Sequence, residues 1–282
     1  MRMTALAIVL SALALPAMAS CPAAEDVARF AKDWRAKSAT KGMPVRSLNE
    51  VACVREALIK ELGRSEGAII GYKAALTGKA AQERFKADGP VSGALFASMI
   101  LPSGSKLPAP VGGNPVFEAD MLLVVKDDGI NQAKTPEEAV RHISGMRPFI
   151  EIPDLMLQKG DMLEAPQLIA MNAAGRVGIA GAEVPLAPTL DTVKALADVK
   201  ISLTDAAGKV LAESTGAANL GSPLNVVIWL VKDLAASGRS LKAGDVVSIG
   251  SFSPLFPVKA GETITVRYEG LAGTPSATVA FP

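Results

Sequence analysis

The sequence predicts a β-rich α+β fold, and three observations support this class. From about residue 68 onward the composition shifts toward glycine, proline and β-branched residues, which is typical of short strands joined by turns. Residues 199–203 and 263–268 alternate between apolar and polar side chains, as strands with one buried face do. Helical spacing of apolar residues occurs in only a few segments, so we expect many short strands and few helices.

Length and charge limit the functions open to this chain. It has 282 residues, of which 49% are hydrophobic and 4% aromatic, and its formal net charge is +1. This composition predicts one large globular domain with an aliphatic core, with or without a small extension. A nearly neutral chain with no visible basic face lacks what phosphate binding requires, so the sequence argues against a nucleic-acid partner.

Residues 1–19 are predicted to be a secretory signal peptide. Arg2 precedes an apolar run from residue 4 to 15, and Ala17-Met18-Ala19 has the small residues of a cleavage site. The run is shorter than the roughly 18 apolar residues that a transmembrane helix needs. We therefore expect a periplasmic or secreted protein without a stable membrane span.

The two cysteines leave two questions open. Cys21 follows the cleavage site, so lipid attachment there is an alternative to ordinary secretion, ranked lower because Met18-Ala19-Ser20 lacks the usual leucine of a lipoprotein signal. Cys53 is the only other cysteine. In an oxidising compartment it either pairs with Cys21 or remains a buried free thiol.

Residues 20–67 are predicted to form a small N-terminal helical region. A first helix is expected from about residue 24 to residue 37, because apolar residues recur there at helical spacing. These are Val27, Phe30, Ala31 and Trp34. The sequence Ser47-Leu48-Asn49-Glu50 has the pattern of a capping box and predicts the start of a second helix, which continues to about residue 62.

Residues 68–282 are predicted to form the catalytic domain. Thr135-Pro136-Glu137-Glu138 is a helix start, and that helix is expected to end near Gly145. Residues 199–203 and a return strand from residue 210 predict a β-hairpin. Ser222-Pro223 begins the most apolar helix of the chain.

Two carboxylates interrupt an apolar strand in a way that predicts a metal site. Glu118 and Asp120 are two residues apart, so both point to the same face of the strand. Like charges this close repel each other in apolar surroundings unless a cation neutralises them, and Glu151 adds a third carboxylate in a second apolar run. Three hard oxygen ligands suit Mg²⁺ or Mn²⁺. A solvated charge pair at a sheet edge is the alternative interpretation.

An ordered set of short motifs resembles the 2-keto-4-pentenoate hydratase branch of the fumarylacetoacetate hydrolase superfamily. The motifs span about residues 50 to 282 at compatible spacing. They are Gly71-Tyr72-Lys73 with Leu76-Thr77, Glu118-Ala119-Asp120, Arg147-Pro148-Phe149-Ile150-Glu151-Ile152-Pro153-Asp154, Gly216-Ala217 with Leu220-Gly221-Ser222-Pro223 and Trp229-Leu230, and Leu241-Lys242-Ala243-Gly244-Asp245.

The resemblance implies a fold, a ligand set and a substrate class. It implies a mixed β-roll core, a homo-oligomer, and a divalent metal, Mg²⁺ or Mn²⁺, held by Glu118, Asp120 and Glu151. It also implies a small-molecule 2-oxo acid as substrate and Lys73 as the catalytic cation beside it. The substrate contacts expected from the motifs are Leu76, Thr77, Asn172, Gly221 and Pro223. Asp154, three residues after Glu151, is expected to contact a metal ligand and orient it without binding the metal itself.

The chain departs from the family pattern at two places. The family's P-D-x-G segment corresponds here to residues 89–95, which read Gly-Pro-Val-Ser-Gly-Ala-Leu, and Met171 replaces the acidic residue of an A-D-N motif. Missing acidic groups would affect proton relay, so a catalytically altered protein that only binds a 2-oxo acid stays open.

These observations predict an exported, metal-dependent lyase that resembles 2-keto-4-pentenoate hydratase. It would add water to a 2-hydroxydienoate or 2-oxo-enoate. Decarboxylation of a 2-oxo-3-enedioate is the alternative enzymatic activity, because it uses the same metal scaffold. His142, the only histidine, matches no motif and is expected to be an ordinary packed or solvated residue.

Overall fold

The computed structural model describes residues 24–45 and 48–282. Within these ranges the chain forms seven α-helices and thirteen β-strands. The helices are α1 (Ala24–Arg35), α2 (Leu48–Glu66), α3 (Lys79–Arg84), α4 (Pro136–Ala139), α5 (Ala165–Ala170), α6 (Leu190–Asp198) and α7 (Pro223–Ala236). The strands are β1 (Ile69–Ala75), β2 (Val91–Phe96), β3 (Ile100–Pro102), β4 (Val116–Val125), β5 (Ile143–Ile152), β6 (Val177–Ala180), β7 (Val184–Pro185), β8 (Lys200–Asp205), β9 (Val210–Thr215), β10 (Val246–Ser248), β11 (Phe256–Pro257), β12 (Glu262–Glu269) and β13 (Ser276–Phe281).

A nine-stranded mixed sheet forms the centre of the fold. Its main path has the order β2-β1-β10-β4-β5-β6-β3, and β11 and β7 pair with β4 and β5. The two longest strands, β4 and β5, are antiparallel neighbours, whereas β1 and β10 run parallel. Both β4 and β5 are apolar and buried along most of their length, as expected for central strands covered on both faces. This mixed, β-rich α+β architecture confirms the predicted fold class.

A four-stranded antiparallel sheet packs against the larger one. Its order is β13-β12-β8-β9, and β8 and β9 form the predicted hairpin. Aromatic side chains join the two sheets, with the Phe281 ring stacked 6.0 Å, centroid to centroid, from the ring of Phe117 on β4. The smaller sheet thereby packs against β4 and β5 of the larger sheet.

The helices cover the sheets. Helix α1 buries Phe30 and Trp34 in the same apolar core as the central strands, so the N-terminal helical region packs onto the domain that follows it. Helix α7 is the most buried, and it begins where Ser222 Oγ accepts a hydrogen bond from Leu224 N at 3.3 Å, with Pro223 in the first turn. The helix starts predicted at Thr135 and Ser222 are confirmed.

One helix boundary was predicted wrongly. The helix that begins after Thr135 ends at Ala139, a short 3₁₀ turn covers Val140–His142, and β5 begins at Ile143. Gly145 therefore lies in a strand and not at a helix end. Pairing of β5 with β4 determines the boundary, because the apolar residues from 143 onward are buried in the central sheet.

Several predictions fall outside the described residues. The signal peptide, Cys21 and the Ser47 cap belong to that group, so cleavage, lipid attachment and the Cys21–Cys53 pair stay predictions. The division of the chain at residue 68 also stays a prediction. Among the helices of residues 24–45 and 48–282, none combines the length and the apolar character that crossing a membrane requires.

Candidate active site and metal centre

Four adjacent strands of the larger sheet bring the polar residues of the site together. Lys73 on β1 lies opposite Ser248 on β10, and Glu118 on β4 lies opposite Glu151 on β5. Asp120 shares the face of Glu118, because it is two residues further along β4. Since β1, β10, β4 and β5 are consecutive in the sheet, residues far apart in sequence meet on one face.

Glu118, Asp120 and Glu151 form a buried carboxylate cluster. One oxygen from each lies within 4.8 Å of the others, and all three side chains are at most 7% exposed. Burial, followed by the charge of Glu151, raises the pKa of Glu118 well above its usual value. The same two causes raise the pKa of Asp120 to about 7. Ionising all three groups without a cation would therefore be unfavourable.

The cluster fits a divalent cation with hard oxygen ligands. Oε1 of Glu151 accepts a hydrogen bond from Lys73, but its buried Oε2 has no hydrogen-bond partner among the described residues. Asp120 is held in place, because its oxygens accept hydrogen bonds from Ser248 Oγ and from Ile249 N at 3.1 Å. A cation would satisfy the unpartnered oxygen and neutralise the cluster, so Glu118, Asp120 and Glu151 suit a divalent cation that prefers oxygen ligands.

Lys73 is a buried cation beside the cluster. Its Nζ forms an ion pair with Glu151 and donates a hydrogen bond to the carbonyl oxygen of Ala173 at 2.9 Å. Gly71, two residues earlier on β1, allows the backbone to place Lys73 here. A Cβ atom at residue 71 would lie 1.9 Å from the carbonyl oxygen of Val246 on β10. Only glycine lets β1 approach β10 closely enough to place Lys73 opposite Ser248.

A left-handed turn forms the wall next to Lys73. Asn172, Ala173 and Ala174 have φ values of 55°, 50° and 56°, which is costly for residues with a Cβ atom. The Asn172 side chain stabilises the turn, because its amide accepts from Ala94 N at 2.6 Å and donates to Ala94 O at 2.9 Å. The turn presents the carbonyl of Ala173 to Lys73 in a fixed position.

A cavity of about 520 Å³ opens above the cluster. Lys73 and Glu118 contribute its charged buried groups, and Leu76 and Thr77 line it, whereas their contact with a substrate stays a prediction. Thr77 Oγ1 is buried and has no hydrogen-bond partner among the described residues. Much of the remaining wall is apolar. It includes Phe85, Pro153, Leu155, Leu168, Phe252 and Leu255.

Three predicted substrate contacts do not line this cavity. Asn172 supports the wall through Ala94, as described above, and Gly221 and Pro223 lie in the turn and first residue of α7. Asn219, from the same segment, does line the cavity and donates to the carbonyl oxygen of Gly250 at 2.8 Å. The turn before α7 therefore does reach the cavity, but the residue that lines it is Asn219, which the sequence analysis missed.

Asp154 has other partners than the metal ligands. Its carboxylate pairs with Arg176 Nε at 2.7 Å and accepts from Gly113 N at 3.0 Å and Asn114 N at 2.7 Å. Arg176 in turn donates to Trp34 O and lies over the Trp34 ring. Asp154 therefore joins the loop before β4 to helix α1, and a role in orienting a metal ligand stays a prediction.

The departures from the family pattern leave the carboxylate cluster intact. Ser92 and Gly93 lie in β2, and Met171 is buried in the main apolar core. All three predicted metal ligands are present and grouped, so the predicted loss of essential acidic residues is not confirmed. His142 is half-buried and its Nδ1 lies 2.6 Å from Asp127 Oδ1 on a peripheral turn.

Sequence reasoning also missed Ser248 and Ser251. Ser248 is a fully buried hydroxyl in an apolar strand, and Ser251 forms a hydrogen bond that lowers the pKa of Glu118. The signal for Ser248 was present in the sequence, since a serine within Val246-Val247-Ser248-Ile249 needs a buried hydrogen-bond partner.

Comparison with known proteins agrees with this geometry. The model of the fumarylacetoacetate (FAA) hydrolase C-terminal family matches residues 68–280. The 2-keto-4-pentenoate hydratase 2 of Dechloromonas aromatica (strain RCB) is 31% identical over 203 residues, which cover 72% of this chain and 75% of the relative. The TodF product hydratase of Pseudomonas putida (strain F1) is 31% identical over 217 residues, 76% of each chain.

Solved structures share the fold. The chain superposes on 4-oxalocrotonate decarboxylase from Pseudomonas putida G7, complexed with magnesium and adipate, with a TM-score of 0.77 and 23% identity, over 92% of this chain and 98% of the other. Fumarylpyruvate hydrolase from Pseudomonas aeruginosa, in complex with Mn²⁺ and pyruvate, has a TM-score of 0.56 and 19% identity, over 74% and 88% of the two chains. The family match and the curated relatives together lead to one conclusion: the chain belongs to the fumarylacetoacetate hydrolase family, in the branch of the 2-keto-4-pentenoate hydratases.

Proposed function

We propose that the protein is a metal-dependent hydratase that adds water to a 2-hydroxydienoate or 2-oxo-enoate. One observation carries the proposal: three buried carboxylates and a buried lysine meet beside a cavity whose walls are largely apolar. The carboxylate cluster, with its metal, would bind the anionic, chelating head of a substrate, and the apolar wall would contact its conjugated carbon chain. Relatives at about 30% identity that carry the name 2-keto-4-pentenoate hydratase support this activity.

Glu118, Asp120 and Glu151 would hold the metal, for which we propose Mg²⁺ or Mn²⁺. When bound, the metal supplies Lewis acidity that polarises the oxygens of a 2-oxo acid. Structures with the same fold were solved with magnesium, calcium or manganese, in agreement with a divalent ion.

Lys73 supplies the second part of the chemistry. Its ammonium group is held by Glu151 and by the Ala173 carbonyl, so its position is fixed before a substrate arrives. A positive charge in a buried site stabilises negative charge that develops on the substrate as a proton moves along the dienol. The same group holds protons that can be transferred to substrate carbon or oxygen, which is the role of a general acid.

The cavity walls control water and the polar end of the substrate. Apolar side chains keep bulk water from the reactive head, which strengthens the electrostatic contacts made there. Thr77 Oγ1 lacks a partner among the described residues and faces a cavity that it lines, so we propose that it hydrogen-bonds an oxygen of the substrate. Leu76 contributes apolar contact beside it.

Decarboxylation of a 2-oxo-3-enedioate is the second candidate. Two exposed cations, Lys79 and Arg84, line the cavity on helix α3, and they could meet a distal carboxylate. The shared fold with 4-oxalocrotonate decarboxylase makes this comparison relevant.

A single assay tests the proposal. Purified protein with Mg²⁺ is mixed with 2-hydroxypenta-2,4-dienoate, and loss of dienol absorbance is followed with and without a chelator. We expect chelator-sensitive loss of absorbance and a hydrated product. Binding of the substrate without turnover would instead support a 2-oxo acid binding protein, and release of CO₂ from a 2-oxo-3-enedioate would favour the decarboxylase.

We also propose export and a homo-oligomeric state, which rest on the leader sequence and on the family resemblance. N-terminal sequencing of the exported protein should begin at Ser20, whereas a lipid-modified Cys21 would favour the lipoprotein. Light scattering of the purified protein measures the oligomeric state.

A further inference from the structure

We infer that the preferred substrate carries a bulky apolar tail beyond its 2-oxo acid head, and not a second carboxylate. The inference rests on the proposed function, because it takes the carboxylate cluster as the place where the head binds. It concerns the opposite end of the substrate, which the cluster does not contact.

The cavity is larger than a small dienoate requires. At about 520 Å³ it equals roughly 17 water molecules at about 30 Å³ each. Cavities of several hundred Å³ are typical of sites that bind ligands of drug size. A molecule as small as 2-hydroxypenta-2,4-dienoate leaves most of this space filled with water, so the site has room for a much longer substrate.

The wall of the cavity away from the carboxylate cluster is largely apolar. Phe85, Leu155 and Leu168 are buried and belong to an apolar cluster that is separate from the main core, and Leu255 packs against that cluster. All four line the cavity. Phe85, Leu155 and Leu168 are at most 9% exposed and Leu255 is half-buried. The wall is therefore a preformed apolar surface, and a hydrocarbon tail lying on it would remove the exposed part of Leu255 and the tail itself from water.

The cavity wall offers no unpaired buried cation, among the described residues, to a second carboxylate. A carboxylate buried against such a wall is costly unless a buried cation pairs with it. Among the described residues that line the cavity, Lys73 is the only buried cation, and it is already paired with Glu151. Lys79 and Arg84 are exposed, and the Arg84 guanidinium lies 5.2 Å from the centre of the Phe85 ring. Exposed charges attract an anion only weakly.

A series of saturated 2-oxo acids tests the inference, because these compounds carry the head but no diene to hydrate. Calorimetry with excess Mg²⁺ would give Kd for 2-oxobutanoate, 2-oxohexanoate and 2-oxooctanoate, and for 2-oxohexanedioate as the diacid matched in length to 2-oxohexanoate. We expect Kd to fall about threefold to fourfold for each added methylene. The diacid should bind at least about tenfold more weakly than 2-oxohexanoate.

A matched pair of variants locates the effect. Leu255→Gln places a polar amide in the cavity wall, so the gain per methylene should shrink while 2-oxobutanoate binding is retained. Leu271→Gln changes a half-buried leucine that packs elsewhere on the core and does not line the cavity, so it should keep the wild-type series.

The outcomes separate this inference from the proposed function. A Kd that does not depend on tail length, or a diacid that binds more tightly than the monoacid, overturns the inference while the metal-dependent 2-oxo acid site stands. Failure of every compound to bind with Mg²⁺ overturns both. A preference for long apolar tails in a protein that turns over no dienoate supports the inference and contradicts the hydratase. The wild-type series decides the question even where Leu255→Gln does not fold.

Discussion

Glu118 and Glu151 lie directly opposite each other on neighbouring antiparallel strands. Like charges in a cross-strand pair destabilise a sheet, and here Asp120 adds a third carboxylate on the same face. Apolar residues at these positions would stabilise the central sheet better. The cluster is therefore a place where stability is reduced to keep a cation-binding site, which is common at functional centres.

The first prediction concerns metal affinity. Glu118→Gln and Glu151→Gln each replace an anionic oxygen by a neutral amide, so affinity for Mg²⁺ or Mn²⁺ should fall by about 10–100-fold or more. Isothermal titration calorimetry measures this effect. Glu213→Gln, at an exposed position of β9, is the matched control and should bind metal like the wild type. Wild-type Kd values in both cluster variants would show that these carboxylates do not bind the metal.

The second prediction concerns Lys73. Lys73→Met keeps most of the packing of the side chain but removes the charge and the protons. The kcat for a 2-hydroxydienoate should fall by about 10²–10⁴-fold, because a general acid typically contributes that much. Metal binding and far-UV circular dichroism should persist. Lys194→Met, at an exposed site on α6, should leave kcat unchanged, and equal rates for both variants would rule out a catalytic Lys73.

The third prediction is a pH dependence of the metal-free protein. The pKa of Asp120 rises from 3.8 to about 7 on folding, so between these values the folded chain binds a proton that the unfolded chain has released. This group therefore contributes stability below about pH 4, and the contribution is lost as the pH rises through 7. Glu118 acts in the same direction. Urea unfolding in the presence of a chelator should show a free energy of unfolding that falls over this range.

Metal binding should show the complementary proton release. Below pH 7 the metal must displace the proton of Asp120, so the apparent affinity should increase with pH, by up to about tenfold per unit for one proton. Calorimetry in buffers with different ionisation enthalpies counts the released protons. Asp120→Asn should flatten the pH dependence of metal-free stability, and an unchanged slope in that variant would assign the effect to other groups.

The fourth prediction distinguishes two roles of Asn172. In the structure its amide holds both main-chain groups of Ala94, so Asn172→Ala leaves two buried groups unpaired and should lower the free energy of unfolding by about 2–4 kcal/mol. Asn225→Ala removes one half-buried hydrogen bond to Leu220 O and should cost less, about 1 kcal/mol. Denaturant unfolding compares the two. An Asn172→Ala protein of wild-type stability with a raised KM would instead assign Asn172 to the substrate.

The carboxylate cluster was predictable because its signal is local. The two-residue period of a strand places Glu118 and Asp120 on one face, and the apolar neighbours show that this face is buried. Lys73 was found only through the resemblance of Gly71-Tyr72-Lys73, since a lysine near the end of a strand is ordinary in composition. Lys73 lies opposite Ser248 because two segments 175 residues apart pair in parallel, and no local sequence pattern predicts that pairing.

Gly221, Pro223 and Asp154 do not line the cavity, and the reason is the same for all three. The substrate contacts expected at Gly221 and Pro223 were assigned by motif, but the structure brings Asn219 to the cavity, because the chain turns just before α7. Asp154 is close in sequence to Glu151, yet it lies beyond the end of β5 and pairs with Arg176. Residues that are close in sequence can be predicted to share a face only while they belong to the same strand. Beyond the end of the strand the two-residue period no longer applies.

The hydrogen bond from Tyr268 to the main-chain carbonyl of Asp120 joins the smaller sheet to the metal centre. Burial, followed by the charge of Asp120, raises the pKa of the Tyr268 hydroxyl well above its usual value, so the group stays protonated and donates. Tyr268 lies on β12 and Asp120 on β4, so a cation that stabilises Asp120 should also stabilise the contact between the two sheets. Amide hydrogens of β12 should therefore exchange more slowly with solvent once a cation is bound, although no residue of β12 belongs to the carboxylate cluster.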